Sequence, residues 1–162
     1  MARKIVARTG FTAANDATDL NQVGTVMDDA KTGKSYRYVQ VEDLDLAAND
    51  VVSFSDATGG EVTKDRAGGS AISHDFAGVA VNTITDGNYG WVQIKGLATC
   101  RVLKNTSVAA GDRVMLHATD DGGVATLTTQ TTSSVDKSFG VALAADTATT
   151  STDGTVAVMI DL

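Results

Sequence analysis

The sequence contains no proline, although about eight would be expected in a chain of 162 residues at average usage. Every turn must therefore be made by glycine, asparagine, aspartate or serine, and the chain holds 16 Gly and 18 Asp. Its one cysteine, Cys100, excludes an intramolecular disulfide, so we expect stability to come from packing and hydrogen bonds. We expect Cys100 itself to be a small buried hydrophobic residue.

Long apolar runs are also missing. No stretch approaches the roughly 20 apolar residues of a membrane span, and the start of the chain lacks the apolar core of a signal peptide. We therefore expect a soluble chain that is made in the cytoplasm, is not exported and has no membrane partner. The net charge of −7 argues against binding to nucleic acid, because phosphate affinity comes from Lys and Arg.

Catalytic and cofactor-binding motifs are absent too. The sequence has no Gly-x-Ser-x-Gly, His-Glu-x-x-His, Cys-x-x-Cys or Gly-x-x-x-x-Gly-Lys-Ser/Thr pattern. The two histidines, His74 and His117, would suggest chemistry only if the fold placed one of them in a pocket with two or more carboxylates. We predict that the protein is not an enzyme and that it holds no cofactor or metal.

What the chain does have is 22 Thr and 19 Val against only two Glu. Such usage favours strands, because β-branched side chains pack well on a pleated surface. Two short strand candidates, residues 24–27 and 35–41, flank a polar loop containing Gly33 and predict a β-hairpin. We predict an all-β fold: a compact antiparallel β-barrel or sandwich, preceded by the hairpin and by an extended N-terminal arm.

An internal repeat with an offset near 62 residues organises the rest of the chain, with copies at about 46–96 and 108–162. Four blocks recur in the same order: residues 46–52 match 108–114, Gly60 matches Gly122, 78–80 match 140–142, and 91–94 match 157–160. Two copies are too few for a solenoid, so we expect both to close around one shared core. The repeat predicts eight core residues: Val79, Val81, Val92, Ile94, Val141, Leu143, Val158 and Ile160.

The first 20 residues form the predicted arm, and residues 21–162 form the predicted single β domain. Arg3, Lys4 and Arg8 give the first twelve residues a charge of +3, which leaves −10 on the remaining 150. A solvated basic tail and a partner-binding segment both fit this pattern.

Three residues are not required by the packing that the two copies share. Trp91 matches Ala157, His117 matches Ser55, and Tyr89 lies on the same strand face as Trp91. We predict these three as candidates for an oligomer or partner interface, because aromatic residues are enriched at interfaces. The alternative for Trp91 is that it fills the end of the barrel.

Several segments together resemble the small capsid decoration (cement) proteins of tailed bacteriophages. They are the basic N-terminal arm, the hairpin with Tyr36-Arg37-Tyr38-Val39, the segment Phe76-Ala77-Gly78-Val79-Ala80, the strand Gly90-Trp91-Val92-Gln93-Ile94-Lys95-Gly96, and Ala109-Ala110-Gly111-Asp112-Arg113-Val114. The resemblance covers roughly residues 21–162.

This resemblance implies a structural protein on the outer surface of the virion capsid, often a trimer, which stabilises the shell by bridging major capsid protein subunits. The candidate capsid contacts are Arg3, Lys4, Arg8 and Phe11 of the arm. The alternative from another class is a receptor- or glycan-binding module of a phage tail or fibre. In that case an exposed Trp91 would stack on a sugar ring.

Overall fold

The computed structural model describes residues 3–5, 13–56, 58–65, 75–117, 121–127 and 138–161, so Arg8, Phe11 and His74 lie outside the described residues. The described residues form eleven strands and no α-helix, which confirms the predicted all-β class. The strands are β1 (Arg3–Ile5), β2 (Val26–Asp29), β3 (Lys34–Val41), β4 (Val51–Phe54), β5 (Glu61–Thr63), β6 (Phe76–Ala80), β7 (Tyr89–Val102), β8 (Arg113–Leu116), β9 (Val124–Thr126), β10 (Gly140–Ala142) and β11 (Gly154–Ile160).

All eleven strands belong to one sheet, in the order β1-β2-β3-β5-β4-β6-β7-β11-β10-β8-β9. Two further pairings, β3 with β7 and β7 with β9, close this sheet on itself twice. The first ring consists of β3, β5, β4, β6 and β7, and the second of β7, β11, β10, β8 and β9. The sheet is mixed rather than antiparallel throughout, because the pairs β1–β2, β3–β5 and β7–β9 are parallel.

Strand β7 serves both rings because it is 14 residues long. Its residues 89–95 pair with β3, and its residues 96–102 pair with β11. Gly96 marks the change of partner and has a φ of +86°, a left-handed conformation that favours glycine. The buried Gln93 amide donates to the carbonyls of Lys95 and Leu97, both at 3.0 Å, which holds the backbone on either side of Gly96.

The strand pairing of the first ring recurs in the second. Equivalent pairs, displaced by 61, 62 or 66 residues along the chain, are Val51–Val79 and Arg113–Val141, Val79–Gln93 and Val141–Met159, and Tyr36–Gln93 and Leu97–Met159. The two rings are therefore two copies of one strand arrangement that share a strand.

Each ring encloses its own core, so the expectation of one shared core is wrong. The first core contains Val39, Val41, Val52, Val62 and Val92, among others. The second core contains Cys100, Val102, Val114, Val124, Val158 and others, and it also includes Val51 and Val79 of the first ring. The reason is that five strands close around their own inner side chains, and β7 passes from one ring to the other.

Of the eight predicted core residues, four are buried, two are half-buried and two are exposed. Val79, Val92, Val158 and Ile160 are at most 2% exposed, Val81 and Ile94 are half-buried, and Val141 and Leu143 are exposed. Val141 matches Val79, but both residues point out of their own ring. Only Val79 is covered, because the second ring packs against the outer face of the first.

The repeated segments 46–52 and 108–114 contain the same turn. The Asp50 nitrogen donates to the Ala47 carbonyl at 3.1 Å, and Asp112 does the same to Ala109. The third turn residue has a positive φ in both copies, +76° at Asn49 and +91° at Gly111, which is the conformation that a type II turn requires there. This geometry explains why asparagine and glycine alternate at this position of the repeat.

Asp50 also joins the two rings. Its carboxylate is fully buried and accepts hydrogen bonds from the Ala47 nitrogen at 2.9 Å, Lys64 Nζ at 2.9 Å and Arg101 Nη1 at 3.1 Å. Arg101 lies on the part of β7 that belongs to the second ring. The adjacent Val51 nitrogen donates to the carbonyl of Gly122, which precedes β9. A buried carboxylate with two cationic partners thus fixes the first ring against the second.

We predict that Asp50→Ala lowers the free energy of unfolding by about 3 to 5 kcal/mol, because two cations lose their buried counter-charge. Asp112→Ala is the matched control. The Asp112 side chain accepts the equivalent turn hydrogen bond from the Ala109 nitrogen at 2.8 Å, but it makes no ion pair among the described residues. We therefore expect Asp112→Ala to lower the free energy of unfolding by only about 1 kcal/mol. Urea unfolding followed by Trp91 fluorescence measures both changes. Equal losses in the two variants would contradict the role of Asp50 as the joint.

Candidate interaction surfaces

Tyr89 and Trp91 lie on β7 beside Tyr38 of β3. The Tyr38 ring centroid is 5.0 Å from that of Trp91 and 6.2 Å from that of Tyr89. Tyr89 is half-buried, but Trp91 is only 1% exposed. Trp91 has no surface left to offer a partner, so its interface prediction is wrong. It does not fill the end of a barrel either, because it packs outside the core of the first ring, with Met27, Tyr36 and Tyr38.

The N-terminal segment covers these aromatic rings. The Tyr38 hydroxyl donates to Asp16 Oδ2 at 2.9 Å, and the Asp16 backbone exchanges two hydrogen bonds with Tyr89, at 2.8 and 2.9 Å. Burial and the bond to Asp16 raise the pKa of Tyr38 to about 12. Asn15 Oδ1 accepts from the Thr85 nitrogen at 3.1 Å and from Asn88 Nδ2 at 2.8 Å. Residues 14–16 of the predicted arm are therefore bound to the domain.

The first described part of the predicted arm is strand β1. This strand pairs in parallel with β2 and lies at one end of the strand order. Arg3 and Lys4 belong to this strand. Arg8 and Phe11, the other predicted capsid contacts, lie outside the described residues. Two of the three basic residues among the first twelve, Arg3 and Lys4, therefore lie on the strand at one end of the sheet.

His117 is half-buried and lines a surface hollow of about 550 Å³ together with Arg101, Leu103, Lys104, Asn105, Thr106 and Asp153. Arg101 donates to Asp153 Oδ2 through Nη2 at 2.6 Å, and the Lys104 nitrogen donates to Asp153 Oδ1 at 3.0 Å. These hydrogen bonds hold the pKa of Asp153 below its usual value. The described lining of this hollow contains one carboxylate, that of Asp153, which is ion-paired with Arg101.

Four exposed apolar side chains form an apolar patch on three neighbouring strands of the second ring. Leu97 of β7 pairs with Met159 of β11, which pairs with Val141 of β10. Leu143 extends the patch, since its nitrogen donates to the Ala157 carbonyl at 2.8 Å. Their exposed fractions are 46%, 40%, 38% and 52% for Leu97, Met159, Val141 and Leu143.

Sequence reasoning missed this patch because it placed Val141 and Leu143 in the core. Met159 carried a usable signal. It matches Gln93, a polar residue, and such a mismatch indicates a position that faces outward in at least one copy. The repeat could not show whether the outward face is covered, since that depends on how the two rings pack.

A cavity of about 310 Å³ opens at one end of the first ring, and we call it the open end. Its lining is Val26, Asp28, Ser35, Arg37, Phe76, Ala77, Ile94 and Lys95. The Arg37 guanidinium lies 5.1 Å from the centre of the Phe54 ring, and its buried Nε has no hydrogen-bond acceptor. Burial lowers the pKa of Arg37, and none of the ion pairs among the described residues includes it.

Among the described residues, no group of three or more His, Cys, Asp or Glu side chains is placed to hold a metal ion. Within the same residues, no helix has the length and apolar character needed to cross a membrane.

Comparisons with known proteins give structural similarity but no sequence family. No family model matches the sequence, and no curated protein matches it significantly. A solved structure of the head fiber gp8.5 N base in bacteriophage phi29 is similar, with 18% sequence identity and a TM-score of 0.48. The similarity covers 78% of this chain and 92% of the phage chain.

We predict that Cys100 reacts with a thiol reagent only after unfolding. Its side chain is fully buried in the second core, and burial raises the pKa of the thiol to about 12, so reactive thiolate is scarce at neutral pH. Labelling with a chromogenic disulfide at pH 8, with and without guanidinium chloride, measures the difference. Rapid stoichiometric labelling of the folded protein would contradict the structure.

Proposed function

We propose that this chain is a non-enzymatic structural protein of a tailed-phage virion. In this proposal it binds the outer surface of the capsid and stabilises the shell by bridging neighbouring major capsid protein subunits. Its sequence supports the proposal through the strand and turn segments that resemble capsid decoration proteins. The structural observation that carries the proposal is the apolar patch.

The apolar patch has the character of a protein-binding surface. Contiguous exposed apolar side chains on a soluble domain typically mark contacts with another protein. Here four of the six large exposed apolar side chains among the described residues lie together: three on β7, β11 and β10, and Leu143 directly after β10. Such clustering on one sheet face suits a flat protein partner.

The basic N-terminal stretch supplies the second contact, to the capsid itself. A stretch of +3 next to a body of −10 is oriented by charge towards an acidic surface. Because residues 14–16 are bound to the domain, the proposed capsid-binding segment is residues 1–12 rather than 1–20.

Bridging requires more than one capsid-binding segment per particle of the protein, so the proposal includes a homo-oligomer, with a trimer favoured. Three linked segments raise the effective concentration of each for its site, so weak contacts add up. A protein that binds the assembled lattice and not free subunits shifts the equilibrium towards assembly. Neither nucleic acid nor a membrane is a partner in this proposal.

The glycan-binding alternative gains no support from Trp91. That residue would have to be exposed to stack on a sugar ring, whereas Trp91 and Tyr38 are buried. A glycan array probed with the purified protein tests this alternative, and we expect no specific binding.

We predict that replacing Arg3, Lys4 and Arg8 together by glutamate weakens binding to undecorated heads by at least about tenfold, because attraction to the capsid surface becomes repulsion. The matched control replaces Lys31, Lys34 and Lys104 by glutamate, three lysines of the body that belong neither to the apolar patch nor to the lining of the open end. Both triple variants have the same net charge. Co-sedimentation with heads measures binding, and equal weakening in the two variants would contradict a specific role of the N-terminal stretch.

Two deletions test whether the capsid-binding segment ends at residue 12. Removal of residues 1–12 should abolish binding to heads and lower the thermal transition only slightly, because the sheet loses the three-residue strand β1 at its end. Removal of residues 1–20 should lower stability much further, because it uncovers Trp91 and takes the Asp16 acceptor from Tyr38. Normal binding by the shorter deletion would overturn the assignment of the capsid contact.

A further inference from the structure

The contact between the two rings shows what covers the outer face of the first ring. The outward row Val51, Val79, Gln93 and Tyr36 is at most 7% exposed. Val51 and Val79 pack into the core cluster of the second ring, and Phe76 stacks on Phe139 with ring centroids 4.0 Å apart. The part of this face that contains Val51, Val79 and Phe76 therefore packs against the other ring inside a single chain, whereas Tyr36 lies in the cluster of Met27, Tyr38 and Trp91.

The equivalent row of the second ring is Arg113, Val141, Met159 and Leu97, and it is exposed. Val141 stands where Val79 stands in the first ring, and Leu97 stands where Tyr36 stands. The apolar patch is thus the copy of a face that is already used for ring-to-ring packing. It differs in being exposed, since the described strands form two rings and no further ring that covers it.

The surface of the second ring that packs against the first ring also has an equivalent in the first ring. Phe139 of the second ring is the equivalent of Ala77 in the first, 62 residues earlier. Phe139 is fully buried beneath Phe76, whereas Ala77 lines the open end of the first ring. The first ring therefore has space at the position that corresponds to the contact with its neighbour. Arg37 also lines that space, and its Nε is a buried donor without an acceptor.

We propose that a second copy of this chain covers the apolar patch, with the patch of one copy packed against the open end of the first ring in the next. Such a contact repeats the ring-to-ring packing seen within the chain. It is heterologous, so copies are joined head to tail, and it yields a closed oligomer when the rotation between copies closes. The assignment rests on the oligomer in the proposed function and names its surface.

The first test is the oligomeric state of the isolated protein, measured by light scattering and sedimentation at micromolar concentration without heads. Met159→Lys should weaken self-association by more than about tenfold, since it places a charge at the centre of the buried surface. Met159→Gln, which copies the residue of the first ring, should have a smaller effect in the same direction. Leu44→Lys is the control, because Leu44 is similarly exposed at 37% but lies outside the patch.

The second test distinguishes a head-to-tail contact from a contact between two patches. Because Cys100 is buried, a cysteine introduced at the surface is the reactive thiol. Leu143→Cys lies in the patch, and Lys95→Cys lies at the open end. We expect disulfide-linked dimers when these two variants are mixed, and few when either is oxidised alone.

Three results would overturn the proposal. They are a wild-type protein that is monomeric at these concentrations, a Met159→Lys variant as oligomeric as wild type, and efficient linkage of Leu143→Cys to itself. Binding to heads is not used in either test. Failure of head binding with intact self-association would therefore remove the capsid partner and leave this interface standing.

Discussion

The structure depends on one strand that belongs to two rings. Strand β7 donates and accepts hydrogen bonds along 14 residues, first with β3 and then with β11. The change of partner occurs at Gly96, where the backbone takes a left-handed conformation and the Gln93 amide binds the carbonyls on both sides. Because neither ring can close without its half of β7, folding of the two repeats is coupled.

The same sharing sets the relative position of the rings and makes their outer faces unequal. The Asp50 carboxylate, bound to Lys64 and Arg101, locks the first ring against the second. As a result Val51 and Val79 of the first ring's outer row are buried against the second ring, and the equivalent row of the second ring is exposed. The second ring thus exposes a face whose equivalent in the first ring is used for packing, and no special sequence motif is needed for this.

Much of the fold follows from local features. The excess of Val and Thr predicted strands, the Gly33 loop predicted the β2–β3 hairpin, and the matched segments around Asp50 and Asp112 turned out to be the same type of turn. Periodicity also placed Val92 and Val158 in cores correctly. These features depend on neighbours in the chain, on backbone conformation and on alternation along a strand, so the residues themselves specify them.

The sequence by itself determined the strand content, the turns, the repeat and the uneven distribution of charge. Only the tertiary structure decided which outward faces are covered, because coverage depends on contacts between residues far apart in the chain. Trp91 is buried beside Tyr38 and the N-terminal segment, and Val79 is buried by the second ring, whereas Val141, with the same local pattern as Val79, is 38% exposed. Identical local patterns therefore had different outcomes.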